Sequence, residues 1–203
     1  KFAKDNDIAV SFQSDHKLIT STNIVFNDPE KASMLITAHY DTCAVLPFPN
    51  ICTPLNFGVY LAYIILVVVL MYGSVFLFGD LLQMRGIDRF AAKTVELFLI
   101  LFFLYWMIAG RSSHHTANDN TSGVAAVLSL IASMDPEKRK QICFVLFDNE
   151  EAGLLGSSSF SKTFKNYRTV PVFNLDCVGD GDHFLFKYKK KDAEQSYIKA
   201  CMA

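Results

Sequence analysis

Hydrophobic positions along the chain fall into two kinds of pattern. The first is a set of short apolar runs, each ending in charged or polar residues. Residues 33–38 (SMLITA) lead into His39-Tyr40-Asp41-Thr42, residues 142–147 (ICFVLF) lead into Asp148-Asn149-Glu150-Glu151, and residues 170–175 lead into Asp176. Runs of this length read as buried strands that deliver polar side chains at their carboxyl ends. Residues 23–26, bracketed by Ser/Thr/Asn/Asp clusters, and residues 184–188 read as shorter strands, and the rest of residues 1–30 is polar and mixed. Between the strands, residues 123–134 form an Ala-rich apolar helix stopped by Asp135-Pro136, and residues 157–168 an amphipathic helix capped by serines. Strands alternating with helices predict an α/β fold with a mixed, largely parallel sheet covered by helices on both faces.

The second pattern is different in scale. Residues 55–79 carry no charge over 25 positions, enough at about 1.5 Å per residue to cross a hydrocarbon layer of about 30 Å. Residues 90–110 follow with only Lys93 and Glu96, both in the first two turns where long side chains reach an interface, and with Tyr105 and Trp106 near the far end as in an interfacial belt. The alternative, a buried soluble hairpin, would need apolar cover on every side. The pattern therefore predicts three parts: residues 1–54 as the first part of a soluble domain, residues 55–110 as a transmembrane helical hairpin, and residues 111–203 as the second part. Arg85, Arg89 and Lys93 lie at the hairpin connection against Arg111 alone on the other side, so the positive-inside bias puts the connection in the cytoplasm and the soluble domain outside.

Composition agrees with this division. The 203 residues are 51% hydrophobic and 19% charged, a greasy balance for a soluble chain. Forty-one of the 56 residues in the insert are apolar, and without them the remainder has an ordinary globular composition. A net charge of −1 leaves no basic face for nucleic acid, and the run from Lys187 to Lys191 reads as a solvated strand end. The five cysteines form neither a disulfide framework nor a thiolate metal site. The chain starts at Lys1 with no leader pattern, so a signal or anchor is expected to be absent or to lie upstream.

The candidate chemistry sits at the strand ends. In open α/β sheets reactive groups collect at the carboxyl ends of strands, and three strands here end in His39/Asp41, Glu150/Glu151 and Asp176. Asp119 stands directly before a helix in Asn118-Asp119-Asn120-Thr121-Ser122-Gly123. Singly these have ordinary explanations, such as a helix cap or a solvated helix start. Together they are like charges that repel unless cations sit between them. One imidazole with several carboxylates and no thiolate suits a hard or borderline divalent ion and points to zinc in a two-metal hydrolytic site.

The ordered set HYD (39–41), NDNTSG (118–123), NEEAGLLGS (149–157) and NLD (174–176) resembles the co-catalytic dinuclear zinc aminopeptidases of the bacterial leucyl aminopeptidase and glutamate carboxypeptidase type. The resemblance implies a zinc exopeptidase-like fold in which His39 and Asp176 bind one zinc, Glu151 binds the other and Asp119 bridges the two. The catalytic roles would fall to Glu150, a general base acting on a metal-bridging water, and to Asp41, which orients the His39 imidazole. It also implies a cis peptide between Asp119 and Asn120, and tight turns at Gly153 and Gly156. A further zinc-ligating His is implied well downstream of Asp176. His183 is too close for that role, His114 and His115 read as linker residues near the membrane surface, and a C-terminally truncated chain with an incomplete second site is expected. The 80 residues from His39 to Asp119 exceed the spacing in soluble relatives, and the insert accounts for the excess.

These readings lead to a membrane-anchored metallo-aminopeptidase, a hydrolase whose partners are peptide substrates and the lipid bilayer. A catalytically silent ectodomain serving as receptor or scaffold is the alternative from another class, disfavoured because the ligand and base positions keep their chemistry. A glutaminyl-cyclase-like transferase is disfavoured by the NDNTSG segment.

Overall fold

The structure, a computed structural model, describes residues 1–16, 19–45, 56–182 and 185–187. Its sheet has five strands: β1 (Val10–His16), β2 (Thr20–Phe26), β3 (Met34–His39), β4 (Ile142–Phe147) and β5 (Val172–Asn174), in the order β1-β2-β4-β3-β5. β1 pairs antiparallel with β2, and β2 antiparallel with β4, whereas β3 runs parallel to both β4 and β5. The sheet is therefore half parallel and half antiparallel, a correction to the largely parallel sheet expected. The antiparallel half was missed because β1 is mostly exposed and carries Ser, Gln, Asp and His, so it has no apolar run to mark it.

The parallel half matches the sequence pattern. β3 and β4 alternate their side chains between two cores, as the twofold strand period requires. Phe26, Ile36, Ala38, Phe144 and Leu146 pack with Val127 and Ile131 of α4 (Gly123–Ser133) on one face. Val25, Leu35, Cys143, Val145 and Phe147 pack with Phe160 of α6 (Leu155–Thr163) on the other. Both faces are thus covered. α1 (Phe2–Asp5) closes the first core, its Phe2 ring edge-on to Phe26. α5 (Pro136–Arg139), capped by Asp135, leads into β4. The amphipathic stretch after residue 155 is not one helix to 168: α6 ends at Thr163 and a 3-10 turn, Lys165–Arg168, follows. Residues 185–187 have no regular structure, and the ends of the strand expected at 184–188 lie outside the described residues.

The insert forms two long helices, α2 (Phe57–Met84) and α3 (Arg89–Ala109), each long and apolar enough to cross a membrane. α2 runs past the uncharged stretch to include Asp80, and Asp88 caps α3 by accepting from the Phe90 and Ala91 amides. Most of their large side chains are exposed, including Leu61, Ile65, Val69, Leu77, Phe98 and Leu101. Where the helices meet, Val75 and Gly79 of α2 and Ala92 and Glu96 of α3 are buried, and Gly79 faces Glu96. Glu96 does not reach outward to an interface. Its carboxylate packs where a Cβ on Gly79 would overlap it, and Lys93 Nζ pairs with it at 2.8 and 2.9 Å.

Candidate metal centre

Three parallel strands set the site. β3 ends at His39, the turn after β4 carries Glu150 and Glu151, and Asp176 follows β5 by two residues. Because β4, β3 and β5 are adjacent and parallel, their carboxyl ends lie side by side. Asp119 comes from the segment before α4, where Asp119 and Asn120 leave helical backbone geometry and the peptide between them is cis, as the resemblance implies.

His39 is the hub. Its ring is 3% exposed; Nε2 lies 3.2 Å from Asp119 Oδ1 and 3.7 Å from Asp176 Oδ1, and Nδ1 lies 3.4 Å from Asp41 Oδ1. The Nδ1 contact has ion-pair distance without an aligned hydrogen bond. One potential ligand atom from each of His39, Asp119 and Asp176 lies within 4.8 Å of the others, and the same holds for His39, Glu150 and Glu151. All six sequence-predicted site residues are therefore gathered around one imidazole. His114 and His115 are exposed and belong to neither group, with His114 Nε2 3.5 Å from an Arg111 guanidinium nitrogen; His183 lies outside the described residues.

Asp41 does more than face the ring. Its Oδ1 accepts from the Glu150 amide at 3.0 Å and its Oδ2 from the Glu151 amide at 3.1 Å, so it fixes the turn that presents both glutamates. A second set of bonds, which sequence reasoning missed, joins the Asp119 segment to the chain after β5. Buried Asn120 donates to the Leu175 carbonyl at 3.0 Å and accepts from the Gly123 and Cys177 amides at 3.1 and 3.2 Å. The Val178 amide donates to Ser122 Oγ, and the Gly179 amide to Asn118 Oδ1. The signal was present in the NDNTSG motif, whose Asn118, Asn120 and Ser122 each carry a short polar side chain suited to bonding backbone.

Electrostatics bears on what the site holds. Burial disfavours a charged His39 ring, but the Asp119, Asp176 and Asp41 carboxylates around it outweigh burial and push the pKa up to about 12. Glu151 is pushed up to about 7, first by burial and then by the charges of Asp119 and Glu150. Burial also raises Glu150. Asp176 is lowered chiefly by its bond to His39. The pattern is that of negative charge concentrated around a single cationic ring, and a divalent cation is its natural complement. An imidazole with four carboxylates and no thiolate in either group fits zinc or another hard to borderline ion.

Residues 105–202 match the family model for Peptidase family M28. The match supports the M28 zinc peptidases and, with them, zinc-dependent hydrolysis of peptide bonds. It takes in Asp119, Glu150, Glu151 and Asp176, while His39 and Asp41 precede it and join the site through the β3–β4 pairing. Comparison with curated proteins and with solved structures found no match.

Proposed function

We propose that the chain is a membrane-anchored zinc aminopeptidase. The observation that carries this reading is the position of His39, within reach of both carboxylate groups at the ends of three parallel strands. In this reading His39 and Asp176 would hold one zinc and Glu151 the other, with Asp119 also serving as a ligand. When bound, zinc polarises the scissile carbonyl and makes water acidic enough to attack at neutral pH. Glu150 takes the proton of the attacking water and passes it to the leaving amine, a role suited to a carboxylate whose proton affinity is raised by burial. Asp41 keeps Glu150 and Glu151 in register with the His39 ring by holding their amides. The lengths and exposed apolar faces of α2 and α3 support anchoring in a bilayer, and the three cations at the connection support a peptidase domain outside the cytoplasm.

The test is Glu150→Ala in the full-length protein, assayed on aminoacyl amides beside metal analysis. Activity is expected to fall by at least about 10²-fold with metal content unchanged. Activity within a few-fold of the unaltered protein would remove Glu150 from the role of base.

A further inference from the structure

The residues that follow Asp41 are clipped to the end of the second long helix. Ser113 donates its amide to the Cys43 carbonyl at 3.0 Å, Val45 donates to the Arg111 carbonyl at 2.9 Å, and Ala44 and Ser112 form an antiparallel bridge. The clip continues into α3 itself, where the indole N–H of Trp106 donates to the Val45 carbonyl at 3.1 Å. An indole with an apolar body and one polar handle sits at the boundary of hydrocarbon and water, and here that handle is used on the chain leaving the site. Val45 is thereby fixed at the level of the boundary residue.

This arrangement limits the height of the site. Val45 lies four positions after Asp41, at most about 14 Å of extended chain, and one strand spacing adds about 5 Å. Asp41 in turn is bonded to the Glu150 and Glu151 amides, so the ligand groups cannot stand farther off than their own side chains allow. Asp119 lies six positions after Ser113 on the other side of the clip, again an extended chain of about 20 Å. Both tethers are short, and their hydrogen bonds hold them together.

We infer, resting on the aminopeptidase reading, that the substrates are polypeptides anchored in the same bilayer, with a free N-terminus within about 20 Å of its surface. A soluble peptide reaches such a site from one side only. An anchored polypeptide is held at the working height, so its second encounter is intramolecular in effect and its local concentration is set by the spacer. A site high above the membrane would instead need a long spacer before any N-terminus could arrive.

The experiment places the full-length protein in phosphatidylcholine vesicles with three probes. One is a soluble leucine-initiated peptide; the other two are that peptide followed by a six-residue or a 25-residue spacer and a single apolar anchoring helix. The six-residue spacer, about 20 Å when extended, is expected to be cleaved within about threefold of the longer one. Cleavage of the soluble and long-spacer probes with the short one slowed tenfold or more overturns the inference and leaves the peptidase reading standing. No cleavage of any of the three probes overturns both. A variant with eight Gly/Ser residues inserted between Gly110 and Arg111 and eight between residues 50 and 51 detaches the clip and the site together from the helix ends. It is expected to lose the short-spacer probe selectively by tenfold or more, and retention of that probe beside an active soluble reaction overturns the role of the clip. If the insertions cost the soluble reaction as well, the spacer comparison in the unaltered protein decides alone.

Discussion

Asp41 and Glu150, 109 residues apart in sequence, meet through a 3.0 Å hydrogen bond from the Glu150 amide to Asp41 Oδ1. The carboxylate that faces the His39 ring also fixes the backbone of the proposed base, so two roles depend on one side chain. Asp41→Ala is expected to lower kcat/KM by about 10- to 100-fold and to weaken zinc binding over a similar range. Asp41→Asn, which keeps one acceptor oxygen for the two amides, should fall between. Kinetics and zinc titration check both, and an Asp41→Ala protein with unchanged kinetics would show that the turn holds itself.

Chelation is expected to abolish hydrolysis and added zinc to restore it. Ligand binding to the folded state also stabilises it by about 2.7 kcal/mol at a free concentration one hundred times Kd, so zinc should raise the melting temperature. His39→Ala, which removes the ring common to both groups, should erase this zinc-dependent rise. A melting temperature that climbs equally with zinc in the variant would count against His39 as the hub.

Asn120 supports the centre without belonging to it. Its amide group bonds Leu175, Gly123 and Cys177, and truncation leaves these backbone groups without their partner in a buried place. Asn120→Ala is expected to cost about 2 to 4 kcal/mol in thermal unfolding. A loss below about 1 kcal/mol would mean that water replaces the side chain.

The two glycines after the glutamates should respond differently. A Cβ on Gly156 would overlap the Asp148 carbonyl and Asn23 Oδ1, so Gly156→Ala forces backbone apart and should cost about 1 to 3 kcal/mol. Gly153 has open space around it and a φ of +102°, so alanine there meets conformational strain alone, about 1 to 2 kcal/mol. Equal intolerance in expression and melting is not expected of both: only Gly156→Ala should also displace Asp148 and Asn23, read as changed amide exchange in β2 and β4.

Membrane orientation is tested by a protease-sensitive tag inserted after Gly86, in the turn between α2 and α3. On oriented vesicles the tag should be cut only from the cytoplasmic side, opposite the domain that carries the sheet. Cutting from the same side as the domain would show that the two helices do not span as a hairpin.

How far the sequence disclosed this molecule depended on whether an element had an apolar signature. β3 and β4 were legible almost to the residue because both faces are buried and the runs are continuous, and the polar residues at their ends located the site. β1 was illegible because an exposed edge strand needs no apolar side chains. Glu96 looked like a residue near an interface, yet the choice between outward reach and inward pairing turns on Gly79, which lies 17 positions earlier on another helix. Asp119 was found from its motif, but the anchoring by Asn120 and Ser122 depends on the backbone after β5 lying alongside, which local pattern cannot express.

The sheet order also dictates a sequence of assembly. β4 lies between β2 and β3, yet 102 residues separate the end of β3 from its start, and both long helices fall in that interval. During synthesis β2 and β3 are made first and wait with open edges, each lacking the neighbour that will join them. That neighbour is made only after both long helices, α2 and α3. Completion of the sheet thus waits on the helical pair: the residues after β3, β4 and β5 come together only once the chain that carries α2 and α3 has been made and has brought its two ends back alongside one another.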